Sequence, residues 1–480
     1  MRKDGVVHVA MLPWLAFGHM QPCFQFSIAL AKEGVNVSFI STPKNIKRLP
    51  KIPPNLAPLV NLVEFPLPKL DDRSLLPDDA EATVDIPHEK VGYLKVAYDL
   101  LQEPIKRFIT HKRPDWIIVD INSNWVVEIG RDLDIPLISF SVFTAALRVF
   151  IGPQKPQAGP VLAQDESVPV LELLTTPPPW VDFPSMVAYR KYEAVQVITM
   201  LHLRENATRE TLVGHDPTID HAYRIVAIRT CTEVEGDYLE THKRIYGKPA
   251  IPIGLLPPEE ILPLDERTLA GQPDWQNISK WLDRQKPRSV VFVGFGSECK
   301  FSKNQLCEIA NGVRLSGLPF MWILQKPEWA SNDVDALPSG FGEATEGRGL
   351  VHIGWAPQKE ILAHSSIGGS LFHAGWGSTI ETLQHGHVLV VLPFIFDQGL
   401  NARLLVEKGL AIEVKRNEED GSFSGNDIAM SLREAMVSEE GEELRARAKR
   451  AAAIFGDRNL HDSYIRNFVE YLKSNCEMKV

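Results

Sequence analysis

Two residues in the amino-terminal half could hand a proton between them. His19 stands in the turn AFGHMQP, just after the apolar run VVHVAML, and Asp120 stands near the end of PDWIIVDI. A neutral imidazole near pH 7 can take a proton from a hydroxyl. A carboxylate on the other ring nitrogen fixes the tautomer and stabilises the imidazolium that forms. A lone histidine is ordinarily structural, and a lone aspartate at a strand end is ordinarily a helix cap. Here both sit at the carboxyl ends of runs that read as strands of one sheet, where ligands bind in open α/β folds.

A second cluster of chemically capable residues fills the stretch WAPQKEILAHSSIGGSLFHAGWGSTIETLQHGHVLVVLPFIFDQ, from Trp355 to Gln398. His373 lies at the carboxyl end of an apolar run. Gly375, Gly377 and Ser378 follow between strand and helix, where backbone N–H groups point at a phosphate. Ser297, in the turn GFGS, is a second candidate for a phosphate. Glu381 could accept two hydrogen bonds from ribose hydroxyls. Asp397 and Gln398, a carboxylate beside an amide, suit the hydroxyls of a sugar.

The elements that must position these groups alternate. Strands are predicted at Val6–Leu12, Val35–Ser41 and Val60–Phe65, then at PDWIIVDI, IPLISFSV and RIVAIRT. Helices are predicted from about Gln21 to Glu33, Glu89 to His111 and Met186 to Arg204, with loops between Pro43 and Pro87 and between Gly152 and Pro184. The alternation argues a doubly wound α/β fold with a parallel sheet. Residues 246–270 hold YGKPAIPIGLLPPEEILPLDE, a proline-rich run that reads as a linker between domains. The expected domains are therefore 1–245 and 271–459, followed by a helix at 460–475. SVVFVGFGS opens the second domain with a buried strand.

Composition narrows the function. The chain has 480 residues and a net charge of −10, which argues against nucleic acid or an anionic membrane surface as the main partner. Five scattered cysteines without a CxxC read as reduced thiols of a cytoplasmic protein. No run approaches the ~20 apolar residues of a spanning helix, so no membrane insertion is expected. The other histidines, including His385 and His387, show no metal spacing. The G-x-S-x-G elbow of hydrolases and the G-x-G-x-x-G dinucleotide fingerprint do not occur.

The stretch from Trp355 to Gln398 closely resembles the signature box of plant secondary-product UDP-glycosyltransferases. Trp355, Pro357, Gln358, His364, Gly368, His373, Gly375, Trp376, Ser378, Glu381, Gly386, Pro393, Asp397 and Gln398 all stand at that family's spacing. Four positions depart from its commonest pattern: Ala374 for Cys, Gly377 for Asn, His387 for Val and Val388 for Pro. The resemblance implies a GT-B fold, two facing Rossmann-like domains with a cleft between them and the last helix crossing back to the first domain. It places Trp355, Ala356 and Gln358 on the nucleotide, with His373, Gly375, Gly377, Ser378 and Ser297 on the diphosphate. It gives Thr144, Trp376, Asp397 and Gln398 to the donor sugar, and His19 with Asp120 to deprotonation of the acceptor. The implied reaction is an inverting transfer from a UDP-sugar, without a metal or other cofactor, by a monomer. Gln398 leans toward UDP-glucose, with UDP-rhamnose as the alternative. ISTPKNIKRLP, YGKPAIPIGLLPP and DQGLNARLLVEKGLAIEV resemble the branch that glycosylates an existing glycoside of a terpenoid, saponin or flavonoid.

Overall fold

The computed structural model describes residues 6–72, 74–153, 169–200, 222–258 and 273–476. The expected linker beyond residue 258 and the end of the 186–204 helix lie outside them. The described residues fall into two compact units. One comprises those within Met1–Gln164, Thr208–Leu256 and Arg458–Val480; the other comprises those within Asp165–Ala207 and Pro257–Asp457.

The first unit is built on seven parallel strands: β1 His8–Leu12, β2 Asn36–Ser41, β3 Val60–Glu64, β4 Trp116–Val119, β5 Leu137–Ser141, β6 Tyr223–Ile228 and β7 Ala250–Pro252. Their order is β3-β2-β1-β4-β5-β6-β7. The second unit has six: β8 Val290–Gly294, β9 Phe320–Leu324, β10 Gly349–Ile353, β11 Ile367–Phe372, β12 Val388–Val391 and β13 Ala411–Glu413, in the order β10-β9-β8-β11-β12-β13. All its pairings are parallel too. Each order reverses direction once, between β1 and β4 and between β8 and β11. At such a reversal the chain leaves adjacent strands toward opposite faces and opens a crevice at their carboxyl ends.

The apolar runs seen in the sequence are these strands because both sheet faces are covered. Val9 and Met11 enter one core with Trp116 and Ile118, while Ala10 and Leu12 enter the other with Ile117 and Val119. The second sheet divides Val291 and Val293 from Val290 and Phe292 in the same way. A strand buried on both faces needs apolar residues at every position, so the two-residue alternation disappears from the sequence. The last helix, Arg458–Cys476, contributes Ile465, Phe468, Val469 and Leu472 to the first unit's core, with Phe468 5.3 Å from Phe26.

Several elements differ from expectation. The first helix runs Phe17–Lys32, with Pro22 inside it, and not from about Gln21. A short helix, Pro43–Arg48, stands in the expected loop, started by a proline in its first turn. The helix expected over 89–111 is two, Val91–Asp99 and Gln102–Lys112, the second restarting where Pro104 needs a first-turn position. The stretch expected as linker supplies strand β7. A short helix, Val170–Thr175, stands in the expected 152–184 loop, and it and helix Lys191–Met200, both within the expected 1–245 domain, group with the second unit.

Candidate active site

In the first unit, β1 and β4 are neighbours, with Leu12 paired to Val119. Asp120 is the residue after β4, and His19 lies in the first turn of the helix that leaves β1. The two therefore meet at the reversal point. His19 Nδ1 is 2.6 Å from Asp120 Oδ2, and the Asp120 side chain is wholly buried while that of His19 keeps 13% of its surface exposed. Oδ2 also accepts the backbone N–H of Trp14 at 3.2 Å. A carboxylate beside Nδ1 requires the proton there, which makes Nε2 the basic nitrogen. Phe143 sets its edge against the imidazole at 5.3 Å. Burial pushes the Cys23 thiol up, and the Asp120 charge adds to that.

The second unit repeats the geometry at the β8–β11 reversal. His373 follows β11, and Gly296 and Ser297 lie in the turn after β8. A Cβ at Gly375 would sit 2.5 Å from His373 Nε2, and one at Gly296 would sit 3.1 Å from Cε1. Both glycines make room for the ring. Burial lowers the His373 pKa to about 4, so the ring is neutral at pH 7. Its Nδ1 is buried without a protein partner. Helix Trp376–Leu383 begins at Gly375 with no side-chain cap, and Gly377 and Ser378 lie in its first turn. Backbone N–H groups in a first turn have no acceptor within the helix, and the helix dipole favours an anion there. Ala374 reaches this start with φ +64, and its carbonyl accepts Asn401 Nδ2 at 3.1 Å.

The remaining members of the box sort clearly. Trp355 is 70% exposed and offers a flat apolar face. Ala356 is buried beside it in the small core around Ile361 and Ile367. Gln358 Nε2 donates to Glu381 Oε2 at 2.8 Å, which joins the two residues expected on the nucleoside. Asp397 opens helix Asp397–Glu407 and accepts Asn401 Nδ2 at 2.8 Å. Gln398 is more engaged than expected: its Oε1 accepts the N–H groups of Phe394 at 2.9 Å and Ile395 at 3.1 Å. Those two donors orient the amide, so only its NH2 remains for a ligand, close to Cys299 Sγ at 3.9 Å.

Two of the residues expected at the donor sugar have buried side chains. Thr144 is wholly buried, and its hydroxyl oxygen accepts Leu147 N–H at 3.1 Å as the cap of helix Ala145–Ile151. The same helix start is met by Glu235, whose two oxygens accept the N–H groups of Ala145 and Ala146. Thr144 thus caps the start of that helix. The Trp376 indole is buried against Phe455, and its backbone opens helix Trp376–Leu383.

Sequence reasoning missed Trp14, Phe143, Glu193, Arg403 and Arg416, which hold the named residues in place. Their contacts join positions far apart in the chain, and no local pattern marks them. Among the described residues, no group of three or more His, Cys, Asp and Glu could hold a metal ion. No described helix is long and apolar enough to cross a membrane.

Two α/β units with one doubly wound parallel sheet each define the GT-B class. Glycyrrhiza uralensis UGT73P12, solved with glycyrrhetinic acid 3-O-monoglucuronide, shares this fold with a TM-score of 0.77 at 23% identity, over 99% of this chain and 97% of that one. The family described as UDP-glucoronosyl and UDP-glucosyl transferase matches residues 265–446. Soyasaponin III rhamnosyltransferase of Glycine max is 41% identical, over 98% of this chain and 96% of its own. Anthocyanidin-3-O-glucoside rhamnosyltransferase of Petunia hybrida is 31% identical, over 99% and 98%. The chain belongs to the plant UDP-glycosyltransferases and is a glycosyltransferase.

Proposed function

We propose that the protein transfers a hexose from a UDP-sugar to a sugar hydroxyl of a small plant glycoside, with inversion and without a metal. His19 Nε2 takes the acceptor's hydroxyl proton as the oxygen attacks the anomeric carbon. The bond from that carbon to the UDP phosphate oxygen breaks, and the electron pair leaves with UDP. Attack from the face opposite UDP inverts the centre. Asp120 holds the Nδ1 proton and stabilises the imidazolium. The observation that carries this reading is the 2.6 Å contact between His19 Nδ1 and the buried Asp120.

Charge builds on the departing UDP during transfer. Donors fixed beforehand stabilise that state more than the ground state. His373, the first-turn N–H groups of Gly377 and Ser378, and Ser297 are assigned to the diphosphate. Backbone donors at Gly377 replace the side chain usual there. Trp355, Ala356, Gln358 and Glu381 are assigned to the nucleoside, and Asp397 with the Gln398 amide NH2 to the sugar.

A glycoside acceptor is supported by the relative named for an anthocyanidin glucoside. Glucose as donor sugar rests on Gln398. UDP-rhamnose is the second reading, favoured by two relatives named as rhamnosyltransferases. The five free cysteines support a cytoplasmic enzyme, and a monomer suffices for the chemistry. A screen of UDP-glucose and UDP-rhamnose against aglycones and their monoglycosides, read by mass, tests the donor and the acceptor class. Binding of UDP-sugar without transfer to any acceptor would reduce the protein to a sugar-nucleotide binder.

A further inference from the structure

We infer that the segment Arg190–Glu193, acting through Arg403 and Arg416, positions the loop that presents Asp397 and Gln398. It is thereby a determinant of donor-sugar use. The inference rests on the sugar-nucleotide reading above. The loop from Pro393 to Phe396 joins β12 to helix Asp397–Glu407 and ends in a Phe396 with φ +30, a backbone state a non-glycine residue seldom holds unaided. Something must hold it: Arg416 reaches the loop itself, and Arg403 reaches the helix start just beyond it.

Arg403 is the first. It is 3% exposed and pairs with Glu193 and Glu413, and its Nε donates to the Ala188 carbonyl at 3.3 Å. Glu193 also accepts Arg190 N–H at 2.8 Å. A Cβ on Gly399 would stand 2.6 Å from Arg403 Nη2 and 2.8 Å from the Glu193 carboxylate oxygens. The ion pair therefore presses against the backbone one residue beyond Gln398. A buried cation with two buried carboxylates persists only with good geometry on every side, because desolvating the charges is costly.

Arg416 is the second. Its guanidinium lies 4.9 Å from the Tyr192 ring centre, 5.1 Å from Phe394 and 5.3 Å from Phe423. It donates to the Pro393 carbonyl and, at 2.6 Å, to that of Gly421. Tyr192 in turn lies against Gly421, where a Cβ would meet its ring at 2.5 Å. The cation is thus clamped between the helix Lys191–Met200 and the loop itself. A planar, multiply donating guanidinium fits that slot and an ammonium does not. The Tyr192 hydroxyl is buried without a partner, so the ring and not the hydroxyl does this work.

Sugar-nucleotide and UDP affinities, with kcat/KM, test the inference in Arg416→Lys, Tyr192→Ala and Tyr192→Phe. A small shift of Asp397 and Gln398 lowers kcat/KM for UDP-glucose and UDP-rhamnose about 10- to 100-fold in the first two variants. It changes the preference between the two donors, and Tyr192→Phe recovers both. The inhibition constant of UDP, which carries no sugar, stays within about twofold of wild type. Sugar turnover and UDP affinity falling together overturn the inference, as does no change in either. Should the wild type transfer no sugar, the function above fails, and the ratio of UDP-glucose to UDP affinity still decides this question.

Discussion

Asp120 meets His19 through one oxygen only: Oδ2 lies 2.6 Å from Nδ1, while Oδ1 is buried without a partner. The pair is dry on the aspartate side and open on the histidine side, as a proton acceptor for a bound hydroxyl needs. His19→Ala should abolish transfer while UDP still binds. Asp120→Asn keeps the shape but loses the charge and admits the wrong tautomer, so kcat should fall about 10³- to 10⁴-fold. Steady-state kinetics beside UDP titration reads both, and near-normal turnover in either variant would remove the pair from the mechanism.

Gln398 has two tasks that mutation can part. Its Oε1 holds the N–H groups of Phe394 and Ile395, and its NH2 is the group proposed to meet the donor. Gln398→Glu keeps the acceptor oxygen and loses the NH2. It should leave the melting temperature near wild type and change kcat/KM for the UDP-sugar. Gln398→Ala strands two inward N–H groups and should also cost about 2 kcal/mol of stability. Equal effects of both variants on stability would show that the loop does not depend on this amide.

Thr144→Ala should cost about 1 kcal/mol of stability, the ordinary loss of a helix cap, with KM for the UDP-sugar unchanged. Denaturant midpoints and donor kinetics check this. A donor KM that rises while stability holds would return Thr144 to the sugar site.

Acid should weaken the fold through His387. Burial first, then His385 and Arg288, lowers its pKa to about 3, and its Nδ1 is buried without a partner. The unfolded chain binds the proton at an ordinary histidine pKa of about 6.5. The stability held by the neutral ring is therefore full above that value and drains as pH falls toward about 3. His373, lowered to about 4, adds to the same slope. His387→Val should raise the melting temperature and flatten its decline below pH 6.5, the ordinary value, in thermal scans across pH.

The strands and their ends were legible because a strand covered on both faces must be apolar throughout, and the residue after it falls in the crevice. The positions of Asp120 and His373 just after their strands were legible that way, and that of His19 from the turn that leaves β1. Helix Pro43–Arg48 was not legible, being short and polar, and held by tertiary bonds such as Lys44 N–H to Glu81 at 2.7 Å. The capping role of Thr144 was not legible because a cap and a ligand residue look alike before the following helix start is seen. Arg403 and Glu193 stand 210 residues apart, and no window of sequence brings them together. The grouping of helix Lys191–Met200 with the second unit depends on that pairing and was equally hidden.

The first sheet has two rims of unequal value. His19 and Asp120 occupy the rim where the strands end. Gly34, exposed and with φ +81, turns the chain into β2 at the rim where they begin, with nothing within 4 Å of where a side chain would start. A peptide inserted beside Gly34, with the glycine kept because φ +81 strains any side chain, would ride at the rim away from the imidazole, so immobilising the enzyme through it should leave its turnover as it is in free solution.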